Sequence, residues 1–90
     1  MSATIWKIEL GDRIVKTHEM PADSRILAVQ IQHGAPVLWA EVDPSAPKVL
    51  RRFEWAATGG SVPRGVYVGT VQLHDGALVL HLYDLGEVQP

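Results

Sequence analysis

Apolar and polar side chains alternate along most of this chain, and turn residues interrupt the alternation roughly every 8–12 positions, the spacing of an all-β barrel or sandwich. Because successive strand side chains leave opposite faces, residues 4–10 set Trp6, Ile8 and Leu10 against Lys7 and Glu9. Gly11-Asp12 is a turn, and residues 13–20 continue with weaker alternation before Pro21-Ala22-Asp23-Ser24 breaks the chain. Residues 25–32 carry the clearest pattern, with Leu27, Val29 and Ile31 on one side and Ala28, Gln30 and Gln32 on the other. His33-Gly34-Ala35-Pro36 reads as a short hairpin connection to residues 37–42, where Leu38, Ala40 and Val42 oppose Val37, Trp39 and Glu41.

Asp43-Pro44-Ser45-Ala46-Pro47 is a rigid loop, since each proline fixes φ and removes a donor. A fifth strand over 48–56 has Val49, Arg51, Phe53 and Trp55 on one face and Leu50, Arg52 and Glu54 on the other. The longest irregular stretch follows at 58–65. Strands over 66–73 and 77–83 then flank Asp75-Gly76, a strong type I′ turn signal because both positions need positive φ. Residues 9–20 and 26–32 lack apolar repeats at i, i+3 and i+4, so helices are not expected. The expected fold is an all-β barrel or sandwich of six to seven mostly antiparallel strands joined by hairpins. It forms one domain over residues 1–90, with about 86–90 as a frayed tail.

Composition narrows the function classes. Ninety residues suffice for one thin core, so self-association into a homo-oligomer is a ready source of further stability. Eight basic and ten acidic side chains leave a formal charge of −2, which argues against general nucleic-acid binding. The absence of cysteine excludes disulfides, thiolate metal sites and cysteine nucleophiles. The N-terminal residues alternate instead of forming an apolar signal stretch. No run approaches the ~18 apolar residues of a membrane span. A cytoplasmic protein that makes no membrane contact is therefore the expectation.

Little in the sequence selects catalysis. His18, His33, His74 and His81 show no metal-ligand spacing, so no metal or other cofactor is called. His33 and His74 precede glycine-containing turns and read as turn residues; His81 sits mid-strand on the side of Val79 and Tyr83 as a half-buried, hydrogen-bonded residue. Ser2, Ser24, Ser45 and Ser61 lie outside any nucleophile motif, and no paired carboxylates stand out. A non-enzyme is expected, with a phosphodiesterase- or glycohydrolase-like use of His81 or His33 as the catalytic alternative.

Several residues suit binding. The small residues of Thr58-Gly59-Gly60-Ser61 let backbone N–H groups converge on an anion, with Arg64 close in sequence; the alternative is a turn that needs positive φ. Arg51 and Arg52 leave opposite faces of their strand, so one of them shares a side with Val49, Phe53 and Trp55. Such an arginine either packs its stem on the core or contacts a phosphate or purine. Trp39 and Glu41 pair through the 33–36 turn with Gln30 and Gln32, a surface that suits either a nucleotide-like ligand or a subunit contact. The candidate ligand-binding set is Trp39, Arg51, Arg52, Thr58, Gly59, Gly60, Ser61, Arg64 and His81.

The ordered segments Ile5-Trp6-Lys7, Glu19-Met20-Pro21, Ile26-Leu27-Ala28-Val29-Gln30-Ile31-Gln32-His33-Gly34, Leu38-Trp39-Ala40-Glu41-Val42-Asp43-Pro44, Thr58-Gly59-Gly60, Val68-Gly69-Thr70-Val71-Gln72-Leu73 and Gly76-Ala77-Leu78-Val79-Leu80-His81-Leu82 carry a likeness over about nine-tenths of the chain. In them the chain resembles a family of small proteins of tailed phages and prophage-bearing bacteria that has no established activity. Val37 stands where that family commonly has Cys, and Gly60 where it commonly has His. By size and setting the resemblance implies a phage accessory protein of the anti-defence class: a homo-oligomer that sequesters a phosphorylated nucleotide signal. The alternative it leaves is an interaction or structural module that binds a host protein.

Overall fold

The structure, a computed structural model that describes residues 3–88, is a two-layer antiparallel β-sandwich. Its strands are β1 (Thr4–Glu9), β2 (Val15–Pro21), β3 (Arg25–Gln32), β4 (Ala35–Val42), β5 (Lys48–Ala57), β6 (Val66–Leu73) and β7 (Leu78–Glu87). One sheet has the order β1-β4-β3 and the other β2-β5-β7-β6, and every pairing is antiparallel. Of the two expected architectures the sandwich is realised, and the sheets do not close into a barrel. Hairpins join β3 to β4 and β6 to β7; the other links pass between sheets or across β7. No helix among the described residues is long and apolar enough to cross a membrane.

The core is the sum of the inward halves of the alternating strands. Ile8, Leu10, Met20, Val29, Leu38, Ala40, Val42, Phe53, Trp55, Val71 and Leu82 form one buried cluster. Each large side chain fully withdrawn from water contributes about 1.5–3 kcal/mol. Phe53, Met20, Leu38 and Leu82 are fully covered. On one side the layers meet where β3 packs on β6, so closely that a Cβ on Gly69 would lie 2.8 Å from Val29 Cγ1. On the other side the edges of β1 and β2 are open, and the Lys48 ammonium sits 5.9 Å from the Trp6 ring centroid.

Four local expectations change. A bulge between Ile26 and Ala28 brings Ile26 rather than Leu27 toward the core, and Leu27 is 37 % exposed. The β3–β4 turn is His33-Gly34 alone, both at positive φ, so β4 already starts at Ala35. Pro36 is tolerated within β4, where its carbonyl accepts the Leu10 N–H at 3.2 Å. The β6–β7 turn is longer than Asp75-Gly76: His74, Asp75 and Gly76 are all left-handed, and β7 begins only at Leu78. The chain is not frayed from residue 86. Gly86 and Glu87 belong to β7, and the Val88 N–H donates to the Leu50 carbonyl at 2.7 Å; residues 89–90 of the expected tail lie outside the described residues.

Candidate functional site

Three strand irregularities gather at one end of the sandwich. They fall between Ile26 and Ala28 on β3, between Tyr67 and Gly69 on β6, and between Arg52 and Phe53 on β5. Bulges re-aim side chains and occur often beside functional sites. Here they border a groove of about 600 Å³ lined by Asp23, Ser24, Arg25, Leu27, Arg51, Tyr67 and Asp84, among others.

At its floor Arg51 and Asp84 form the single ion pair among the described residues. Both stand in core-facing register, and their side chains are 15 % and 10 % exposed. The guanidinium engages the carboxylate through two parallel bonds, Nε to Oδ1 at 3.1 Å and Nη2 to Oδ2 at 2.6 Å. Nη1 also donates to the Ser24 carbonyl at 2.6 Å. Asp84 Oδ1 further accepts the Gly86 N–H at 2.9 Å. A charge this far from water is tolerable only when paired and hydrogen-bonded, and both requirements are met here. Arg25 and Tyr67 stand at the lip, Tyr67 being 52 % exposed.

A second arrangement lies on the outer face of the four-stranded sheet. Tyr67 meets Tyr83 edge-on, ring centroids 5.7 Å apart, and its hydroxyl bonds Thr70. Thr70 Oγ1 bonds His81 Nδ1 at 2.9 Å, and His81 Nε2 bonds Thr58 Oγ1 at 2.8 Å. Each ring nitrogen thus meets one threonine hydroxyl, an oxygen that can either donate or accept. His81 is therefore half-buried with both ring nitrogens satisfied. His18 is half-buried at the edge strand β2, where burial and then the charge of Lys16 hold its pKa below the usual 6.5, against a smaller opposing pull from Glu19. Asp43 is acidified chiefly by the Ser45 hydroxyl at 2.7 Å, then by the Ser45 N–H at 3.0 Å.

The nine sequence-predicted residues fall in separate places. Trp39 is on the outer face of the three-stranded sheet, its indole N–H donating to Gln30 Oε1 at 2.9 Å. Arg51 is in the groove, committed to Asp84 and Ser24. Arg52 is on the outer face of the four-stranded sheet, its Nε 3.5 Å from Thr17 Oγ1. Thr58 joins His81 on that same face. Gly59 takes φ +88°, and the Gly60 N–H is bonded to the Ala57 carbonyl at 2.9 Å, which removes it from any anion nest. Ser61 and Arg64 are exposed in the link that follows. Within one chain, then, Trp39, Arg51 and the 58–61 segment do not line a common pocket.

Arg25, Tyr67 and Asp84 were not anticipated. Asp84 had a readable signal: it follows Leu80 and Leu82 at the next inward position of β7, as Arg51 interrupts the inward row of β5. His33 and His74 occupy left-handed turn positions. Ser24 is buried, with its hydroxyl donating to the Pro21 carbonyl at 2.7 Å; Ser2 lies outside the described residues. Among the described residues no group of three or more His, Asp or Glu gathers as a metal site would require.

Fold and site together define a small antiparallel β-sandwich with an arginine-floored groove at one end. The whole chain, residues 1–90, matches the model of a domain of unknown function, DUF7352, and belongs to that family. No curated protein and no solved structure matches it.

Proposed function

We propose that this chain is a non-catalytic binding module that holds a phosphorylated nucleotide in the groove between β3 and β6. The observation that carries the reading is the placement of Arg51. Asp84 and Ser24 fix its guanidinium in one orientation while using three of its five N–H donors. The two left over, with the exposed Arg25, are suited to phosphate oxygens. The exposed ring of Tyr67 offers a face on which a base stacks. Association of copies would bring the Trp39 face, Arg52 or the 58–64 segment of one chain to the groove of another, which is how the dispersed residues come to serve one ligand. In this reading the protein is phage-encoded, acts in the host cytoplasm, and removes a nucleotide signal of host defence without turning it over.

The test joins light scattering, mass spectrometry of small molecules released on denaturation, and a thermal-shift panel of cyclic and linear nucleotides. A ligand at 100 times its Kd adds about 2.7 kcal/mol, on the order of 10 °C in a domain of this size. Arg25→Ala should abolish that shift and leave the unliganded Tm in place. No released nucleotide together with no shift across the panel overturns the proposal. A second reading, a module that binds a host protein, draws on the open edge of β1, where Ile5 is 62 % exposed. It expects a captured partner that Ile5→Lys releases.

A further inference from the structure

At the end of the sandwich opposite the Arg51 groove, the turns at Gly11-Asp12, His33-Gly34 and residues 74–77 surround a second cavity, of about 560 Å³. Its walls are apolar: Trp55, Leu73, Leu78 and Leu80 from the four-stranded sheet, with Ile14 beside Trp55, whose N–H donates to the Ile14 carbonyl at 2.9 Å, and Pro36 of β4 across from them. These are core-type side chains left partly uncovered, for Leu78 is 37 % and Ile14 69 % exposed. The cause is local. From the three-stranded side the lining is only Gly11, Gly34, Ala35 and Pro36, small residues that leave the space unfilled. A Cβ built on Gly11 or Gly34 meets nothing within 4 Å.

The mouth carries Arg13, His74 and Asp12. Arg13 makes no ion pair, because the single one among the described residues joins Arg51 to Asp84. The cavity thus couples an apolar interior, which excludes charge, to an unneutralised guanidinium at its entrance. Its volume lies within the range of small-ligand pockets.

We propose that this end cavity binds a single aliphatic chain ending in a carboxylate, the chain lying against Trp55, Leu78 and Leu80 and the carboxylate on Arg13. Each methylene drawn from water into such a lining tightens binding about fourfold. A carboxylate takes the planar guanidinium by two parallel bonds, so head-group identity is read at the mouth and chain length inside. The site is separate from the nucleotide groove, and either reading stands or fails alone.

Titration calorimetry on the full chain with hexanoate, octanoate and decanoate, each below its micellar concentration, tests the proposal. Saturable binding should tighten about fourfold per methylene, and decanoate should bind at least tenfold tighter than decanol or decylamine. Arg13→Ala should erase the preference for carboxylate over alcohol while keeping the chain-length dependence. Ala57→Phe should abolish binding, since Ala57 pairs directly with Leu80 on the inward face; Leu78→Trp, at the more exposed rim, is the second plug should the first fail to fold. Absence of saturable binding, affinity independent of chain length, preference for the amine, or undiminished binding by a folded plugged variant overturns it.

Discussion

Replacing Asp84 by alanine removes both carboxylate acceptors from Arg51 and leaves a guanidinium that is 15 % exposed with only the Ser24 carbonyl to satisfy it. Breaking a buried pair from one side costs about 3–5 kcal/mol, mostly for the charge left behind. Both side chains retain a little solvent access, so the lower bound of about 3 kcal/mol applies. A chain of this length has total stability on the order of 5–13 kcal/mol, so the loss is a large fraction of it. The expected fall in Tm is roughly 12–24 °C, from about 4–8 °C per kcal/mol in domains of this size. Urea unfolding measures the loss in free energy and thermal unfolding the fall in Tm, both followed by tryptophan fluorescence, since buried Trp55 becomes exposed. The decisive comparison is Arg51→Met with Asp84→Leu in one chain. With neither charge present no orphan remains, and the double variant should be more stable than Asp84→Ala by about 2 kcal/mol. A cost under about 1 kcal/mol for Asp84→Ala, with the double variant no more stable than it, would refute the claim that this pair anchors the groove end.

Two further outcomes follow from the packing and the titration of particular residues. Gly69→Ala sets a Cβ 2.8 Å from Val29 Cγ1 and should cost about 1–3 kcal/mol, much of it recovered when Val29→Ala is added. Gly65→Ala should cost more, because its Cβ would lie 2.5 Å from the backbone carbonyl of Asp84, which has no rotamer by which to yield; denaturation midpoints of the three variants test both statements. His18 resists protonation in the folded state, its pKa being held below 6.5 by burial and Lys16. Between the two pKa values the unfolded chain binds more protons, so His18's contribution to stability is complete above pH 6.5 and is lost as pH falls through that value toward the folded pKa. The slope from one proton is at most about 1.4 kcal/mol per pH unit. His18→Gln should flatten the profile between pH 7.5 and 5, and superimposable profiles for the two proteins would show the reasoning wrong.

What was legible in the sequence is what neighbouring residues encode among themselves. Trp6, Ile8 and Leu10 face inward, as do Leu38, Ala40 and Val42, and Phe53 with Trp55, because a period of two is a property of each strand alone. The His33-Gly34 hairpin is local in the same sense, since two consecutive left-handed residues suffice to make it. One extra residue in a strand defeats this reading. The bulge after Ile26 exchanges the roles of Ile26 and Leu27, and only the match of β3 to β4 and β6 places it. The groove is further from reach. Arg51 and Asp84 are 33 positions apart in the chain, and they meet because β5 and β7 are neighbours in a sheet whose order the pattern does not contain. His81 was read as a satisfied strand histidine, yet its partners Thr58 and Thr70 come from a turn and from another strand. Local sterics and alternation therefore determined that this chain forms strands and which sides of most of them are apolar. Which strands share a sheet, where the register slips, and which charges end up buried together were decided by the tertiary structure, because burial is minimised over the whole chain and a charge inside it survives only where the assembled sheets supply its partner.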